Sequence, residues 1–329
     1  MSARPFSHTQ LGAALAAGLA LRLFFIWRFP FYSGDTRFYE ELARNWLDHG
    51  VYGLCVRGAL AAVDMRVPGY PAFLAAIYFV MGRSARVVMV AQAFVDLATC
   101  LLAALIAARL APVSRRAVAG TAALWMAVLC PFTADYTAVV LTETLATFFT
   151  TAAVLVVVYL LTEPALEFPA DAVVDLSARG EAFSFAGWFL LLGFIAGLGT
   201  LVRPETPLVL AVAGVTLCIR WWRRANWRRL ILATCWMCAG LLLPLAPWAA
   251  RNARTFGRVE FLGPRYAQTY GDFIPRGYFS WTQTWMTRFG EAYLVTWSLG
   301  NQPIGIEAIP ASAFDSDAER ARVAGLLGR

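Results

Sequence analysis

The chain contains no lysine and only two histidines, His8 and His49. All 28 of its basic residues are therefore arginine, which a biased codon composition explains, and each cation is a planar fork suited to carboxylate or phosphate. Two histidines exclude a histidine-based metal cluster. Charge of either sign is scarce: 15% of residues are charged and 59% are hydrophobic, against about 25% charged in soluble domains. An ordinary soluble domain is thereby excluded. The six cysteines form no disulfide framework, since Cys100, Cys130, Cys218, Cys235 and Cys238 fall in hydrophobic segments and Cys55 is alone in a polar loop. Cys235-Trp-Met-Cys238 has redox-motif spacing, but inside an apolar segment core packing is the better reading. No repeat, nucleotide-cradling glycine loop, nucleophile elbow or metal-ligand motif is present.

What the chain has instead is long hydrophobic runs, at roughly 10–29, 69–81, 87–109, 117–132, 138–161, 185–202, 206–222 and 230–250. The first follows Arg4 like a signal peptide, yet it continues through Phe24-Phe25-Ile26-Trp27 without a cleavage site and reads as an uncleaved span. A span needs about 20 residues, so Gly69–Met81 is short, and if it crossed, the Arg109/Arg115/Arg116 and Trp221–Arg229 loops would face outward. The positive-inside rule prefers it as a juxtamembrane helix. The expected fold is then an all-α membrane protein of about seven spans, with its N-terminus cytoplasmic and juxtamembrane helices on the outer face. A membrane module over 1–250, including the outer loop 30–86, would be followed by a small mixed outer-face region over 251–329. The acidic 162–184 loop counts mildly against this topology, but acids carry little topological weight. The +7 net charge does not point to nucleic acid, because the arginines sit at the ends of hydrophobic runs.

Several polar groups stand where chemistry is possible. Asp35 follows Gly34 just beyond the first run and could serve either as an acid/base or as the N-cap of a helix starting near Thr36. Glu143 lies near the outer end of a span, where an ionisable group usually faces a cavity or a partner. Arg66, Arg203, Arg251 and Arg254 gather at the same face as phosphate ligands or headgroup anchors. Arg22 and Asp96, with Gln92 a turn earlier, read as a structural intramembrane pair. Gly193-Phe-Ile-Ala-Gly197 is a close-packing pattern. Asp315-Ser-Asp317 matches a short transferase motif, but Asp315/Ser316 capping of a helix over 316–327 accounts for it better.

In order, these residues resemble the GT-C superfamily of polyprenyl-phosphate-sugar-dependent glycosyltransferases, such as protein O-mannosyltransferases and aminoarabinose transferases. The resemblance rests on Gly34-Asp35 and the amphipathic run after it, Arg66-x-Pro68-Gly69-Tyr70-Pro71, Glu143, Arg203-Pro204-Glu205 and Pro247-Trp248-Ala-Ala-Arg251-Asn252, and it covers about 10–260. It implies Asp35 and Glu143 as catalytic acids, with Arg66, Arg203, Arg251 and Tyr70 on the donor phosphate. It further implies a lipid-phosphate-sugar donor, a glycan, lipid or protein hydroxyl as acceptor, a plasma-membrane location with an extracytoplasmic active face, and contact with membrane lipids. No cofactor is demanded by the sequence, and a divalent metal is left open. Relatives often pair two acids in the first loop, where this chain has one, and many continue past the point matching Arg329, so a minimal or truncated member is expected. The alternative is a non-enzymatic transporter or scaffold for lipid-linked sugars, although neither internal repeats nor broken mid-membrane spans are visible.

Overall fold

The computed structural model describes residues 7–56, 58–162, 179–222, 227–257, 259–262, 276–282, 284–286 and 306–327. Most of the acidic 162–184 loop, Arg223 and Arg224, and the aromatics Tyr266, Tyr270 and Trp297 lie outside the described residues. The chain divides into two compact units, Met1–Gly263 and Pro264–Arg329. The boundary expected at 250/251 instead falls inside a helix that runs on to Phe256.

The first unit is almost wholly helical. Its order is α1 (His8–Arg28), α2 (Gly34–His49), the strands β1 (Gly53–Val56) and β2 (Ala59–Ala62), α3 (Gly69–Met81), α4 (Ala85–Leu110), α5 (Arg116–Val128), α6 (Pro131–Tyr136), α7 (Glu143–Thr162), α8 (Arg179–Thr200), α9 (Leu208–Trp222) and α10 (Trp227–Phe256). Among the described residues, α1, α4, α7 and α10 are long and apolar enough to cross a membrane; α3, Ala186–Thr200 of α8 and Leu208–Ile219 of α9 are shorter apolar helices. The hydrophobic run expected to open a helix at 138 does so only at Glu143, because Ala138–Val140 form a non-helical connection of a turn and a single bridge. Phe31 pairs with Val139 as an isolated bridge, and its N–H donates to the Ala138 carbonyl at 3.0 Å.

The hairpin was not expected. Gly53 pairs with Ala62 and Val56 with Ala59 in antiparallel register, and Gly58 turns the chain at φ +82°, a conformation for which glycine is suited. The hairpin is fastened to its surroundings by Asn45 Nδ2, which donates to the Gly53 carbonyl at 2.8 Å, and by the Cys55 N–H, which donates to Glu41 Oε1 at 2.6 Å.

Among the described residues four hydrophobic clusters carry the first unit, two of them central to the helix packing. Tyr70, Leu74, Val88, Met89, Val140 and Val202 are buried around α3 and α4, and Phe189, Leu192, Ala213, Leu217 and Met237 between α8, α9 and α10. The α8–α10 contact depends on the glycines of the small-residue pattern. A Cβ on Gly193 would land on the Met237 carbonyl oxygen, and one on Gly197 would sit 2.6 Å from that of Leu241. Gly193→Val is therefore expected to destabilise by about 1–3 kcal/mol or more, because backbone must move, whereas Gly187→Ala, with open space around it, should be neutral. Thermal unfolding of the two variants in one detergent checks this, and equal midpoints would refute it.

Arg22, fully buried in α1, donates from Nε and Nη2 to Asp96 Oδ2 on α4, at 2.8 and 2.5 Å. Its Nη1 bonds the Gly18 and Val128 carbonyls, both at 2.8 Å, and Val128 is the last residue of α5. The expected structural pair is present, and it also closes a helix end. Gln92 does not join it. Its Oε1 accepts from the Tyr70 hydroxyl at 2.5 Å, and its Nε2 donates to the carbonyls of Thr137 and Val139.

The second unit packs α11 (Arg276–Thr282) and α12 (Asp317–Leu327) with short 3-10 turns around Tyr278, Ile309, Ala313 and Val323. Ser316 Oγ accepts from the Glu319 N–H, and the Glu319 carboxylate accepts from the Asp315 N–H. Capping is thus what Asp315-Ser316-Asp317 does here.

Candidate functional site

Helix α2 opens with a capping box in which Ser33 Oγ accepts from the Thr36 N–H and Thr36 Oγ1 accepts from the Ser33 N–H. The cap expected of Asp35 is therefore supplied by Ser33. This leaves the Asp35 carboxylate, in the first turn, pointing to other partners, and Arg66 Nη2 meets its Oδ1 at 3.4 Å. Thr36 Oγ1 also donates to the Val140 carbonyl at 3.0 Å, which ties α2 to the chain just before α7.

Glu143 begins α7. Its Oε1 accepts from Arg203 Nη1 at 2.9 Å, while Arg203 Nε donates to Glu205 Oε1 at 2.6 Å. Partial burial disfavours the Arg203 charge, but Glu205 and Glu143 outweigh it and hold the guanidinium above its ordinary value. Arg66 and Arg203 are brought to the same end of the helices at Gly69, whose N–H donates to the Leu201 carbonyl at 2.6 Å. A side chain there would clash, since a Cβ would approach that oxygen to 2.5 Å.

Tyr39 follows Asp35 by one turn of α2. The charges that act on its phenol are those of Arg66, Asp35, Glu143 and Arg203. Burial is the strongest influence and pushes the phenol above its ordinary value, with the arginines pulling it down and the acids pushing it up. Four of the sequence-expected residues, Asp35, Arg66, Glu143 and Arg203, thus come within electrostatic reach of one tyrosine, which sequence reasoning passed over. Its position four residues after Asp35, on the same face of an amphipathic helix, was the available signal.

The other two expected residues are placed differently. Tyr70 has no exposed surface, and Gln92 takes its hydroxyl; instead of touching a donor it backs the Tyr39 ring, edge to face at 5.1 Å between centroids. Arg251 gives N–H groups to the Val63 and Tyr52 carbonyls, both at 2.8 Å, and to Asn252 Oδ1 at 2.9 Å. It packs over Tyr52, Trp248 and Phe256, which makes it the anchor of the hairpin onto α10.

Two cavities flank these groups. One, of about 490 Å³, is almost entirely apolar, with Trp46, Phe73, Phe149, Pro247 and Trp248 among its walls and Arg251 the one charged residue. Pro68, Leu145 and Val202, also in its lining, are near neighbours in sequence of Arg66, Glu143 and Arg203. Trp248 is buried there, and among the described residues its indole N–H has no hydrogen-bond partner. The other, of about 420 Å³, is lined by Glu143, Arg203 and Glu205 with Thr147, Thr150 and Thr151. Among the described residues no group of three or more His, Cys, Asp or Glu side chains gathers as a metal site would require. No known protein family, curated protein or solved structure matches the chain.

Proposed function

We propose that the protein is an integral membrane glycosyltransferase that moves a sugar from a polyprenyl-phosphate donor to a hydroxyl of a glycan, lipid or protein acceptor. The observation that carries this reading is the meeting of Asp35–Arg66 and Glu143–Arg203 at one end of the helices, beside an apolar cavity. An arginine-rich polar centre next to an apolar chamber suits an amphiphile whose phosphate and tail need opposite surroundings. The threonine-lined cavity on the far side of Glu143 offers room for a polyhydroxylated partner.

In the reaction, Asp35 accepts the proton of the acceptor hydroxyl as that oxygen bonds the sugar's anomeric carbon. The bond from that carbon to phosphate breaks, and its electron pair stays on the phosphate oxygen, where Arg66 and Arg203 stabilise the charge. Glu143 holds Arg203 in place and faces the second cavity. In this reading about seven helices cross the plasma membrane, α3 lies in the interface with Phe79 and Val80 exposed to lipid, and the polar centre faces outward. Purified protein in lipid nanodiscs is expected to transfer label from a polyprenyl-phosphate sugar, and not from a nucleotide sugar. Absence of transfer across a panel of lipid-phosphate hexoses and pentoses with envelope-glycan, lipid and peptide acceptors would rule the reading out. A carrier role is disfavoured by the site charges lying at one end of the helices rather than midway along them.

A further inference from the structure

Trp248, at 5% exposure, is part of the wall of the apolar chamber, and among the described residues its indole N–H is a buried donor with no partner. Tyr52 and Arg251, in the same wall, are by contrast engaged within the chain. The Tyr52 hydroxyl donates to the Arg66 carbonyl at 2.9 Å, and Arg251 donates to the carbonyls of Val63 and Tyr52 and to Asn252. The indole ring is fixed in place: Tyr52 meets it edge to face at 5.1 Å between centroids, and the Arg251 guanidinium lies over it at 5.0 Å. Leu42, Leu54 and Val63 belong to the same cluster, and none of these three side chains carries an acceptor. A buried donor without a partner is unfavourable. Water is a poor remedy, because a buried water needs about two to four polar partners and the walls here are almost entirely apolar.

We propose that this chamber binds an ester-linked acyl chain of a membrane lipid, whose ester carbonyl accepts from Trp248 Nε1. The ligand class follows from what the walls offer. A cavity of about 490 Å³ with apolar lining suits hydrocarbon, and one neutral donor calls for one neutral acceptor. A phosphate or carboxylate would face Arg251 alone, whose guanidinium is already held by two carbonyls and an amide. An alcohol or an amide would bring a donor of its own, which apolar walls leave unpaired. An ester carbonyl accepts and does not donate. A bare hydrocarbon tail would fill the same walls and leave the indole unsatisfied. Because Tyr52 and Arg251 hold the ring, its N–H is oriented before the lipid arrives, which limits the ordering cost of binding.

The test compares two lipids that differ only in the carbonyl: a diacyl phosphatidylcholine and its dialkyl ether analogue with the same headgroup and chain lengths. Each is added back to the delipidated full chain in detergent, and retained lipid is counted by native mass spectrometry. One neutral hydrogen bond should make wild type prefer the diester about twofold to tenfold. Trp248→Phe keeps an aromatic ring but loses the donor, so the preference should vanish while the diether is retained as before. Ala72→Phe, which places a ring in the chamber from α3, should reduce retention of both lipids. Equal retention of the two lipids by wild type overturns the assignment, and needs no variant to be observed. A preference that survives Trp248→Phe, or retention unchanged by Ala72→Phe, overturns it as well. The assignment goes beyond the transferase reading and does not depend on it: Trp248-dependent diester retention without sugar transfer from any donor upholds the lipid site and removes only that reading.

Discussion

Asp35→Asn is expected to lower sugar transfer by about 10²- to 10⁴-fold, the range lost when a positioned acid/base is removed, while leaving the fold intact. Both halves follow from the geometry. The helix start does not depend on Asp35, because Ser33 and Thr36 form the capping box. Its pairing with Arg66 is long, at 3.4 Å, and the carboxylate is 53% exposed, so losing that pair should cost no more than about 1 kcal/mol. Asparagine keeps size and hydrogen bonding but cannot take a proton from an acceptor hydroxyl. The measurement is single-turnover transfer from a labelled lipid-phosphate sugar, with the thermal midpoint recorded on the same preparation. Ser33→Ala provides the reverse case, with stability lowered by about 0.5–2 kcal/mol through the lost cap and the acid retained. Wild-type rates in Asp35→Asn would remove it from the chemistry, and a collapsed midpoint would make its role structural.

The largest loss of stability is expected on replacing Arg22 by leucine. Removing one partner of a buried ion pair leaves the other charge uncompensated, at about 3–5 kcal/mol. Here the loss extends further. Arg22 also bonds the Val128 carbonyl that ends α5 and contacts Cys100 Sγ, so α1, α4 and α5 all lose a link. The double variant Arg22→Leu/Asp96→Leu should recover much of the loss, because no charge is then stranded, though not all of it, since the α5 carbonyl still lacks its donor. A double-mutant cycle of unfolding midpoints measures this coupling. Additive losses in the double variant would mean that the pair is not the source of the effect.

The helices and their polar interruptions were legible in the sequence because hydrophobic runs of membrane length have few alternative structures. Arg22 and Asp96 could be matched because two isolated charges in apolar segments must find each other or water. The delayed start of α7 could not be read in the same way. Ala138–Val140 are as apolar as the helix that follows, and bonds to Phe31, Thr36 and Gln92 hold them, with local turn hydrogen bonds, out of the helix. The hairpin at 53–62 was hidden for a related reason. Its strands are four residues each, and they stand on anchors from α2 and from Arg251, nearly two hundred residues away.

The site divides along the same line. Composition and order alone determined that this is a helical, membrane-type protein with acids and arginines next to the ends of its hydrophobic runs. Which of those groups meet was decided by tertiary structure. Whether Arg251 and Tyr70 reach a ligand or hold the scaffold depends on carbonyls and an amide brought from distant segments. Tyr39 comes within electrostatic reach of both ion pairs only once α2 lies beside the start of α7 and the turn at Arg203. Local sequence sets what a side chain can donate or accept, and through-space contacts determine which of those bonds remain open.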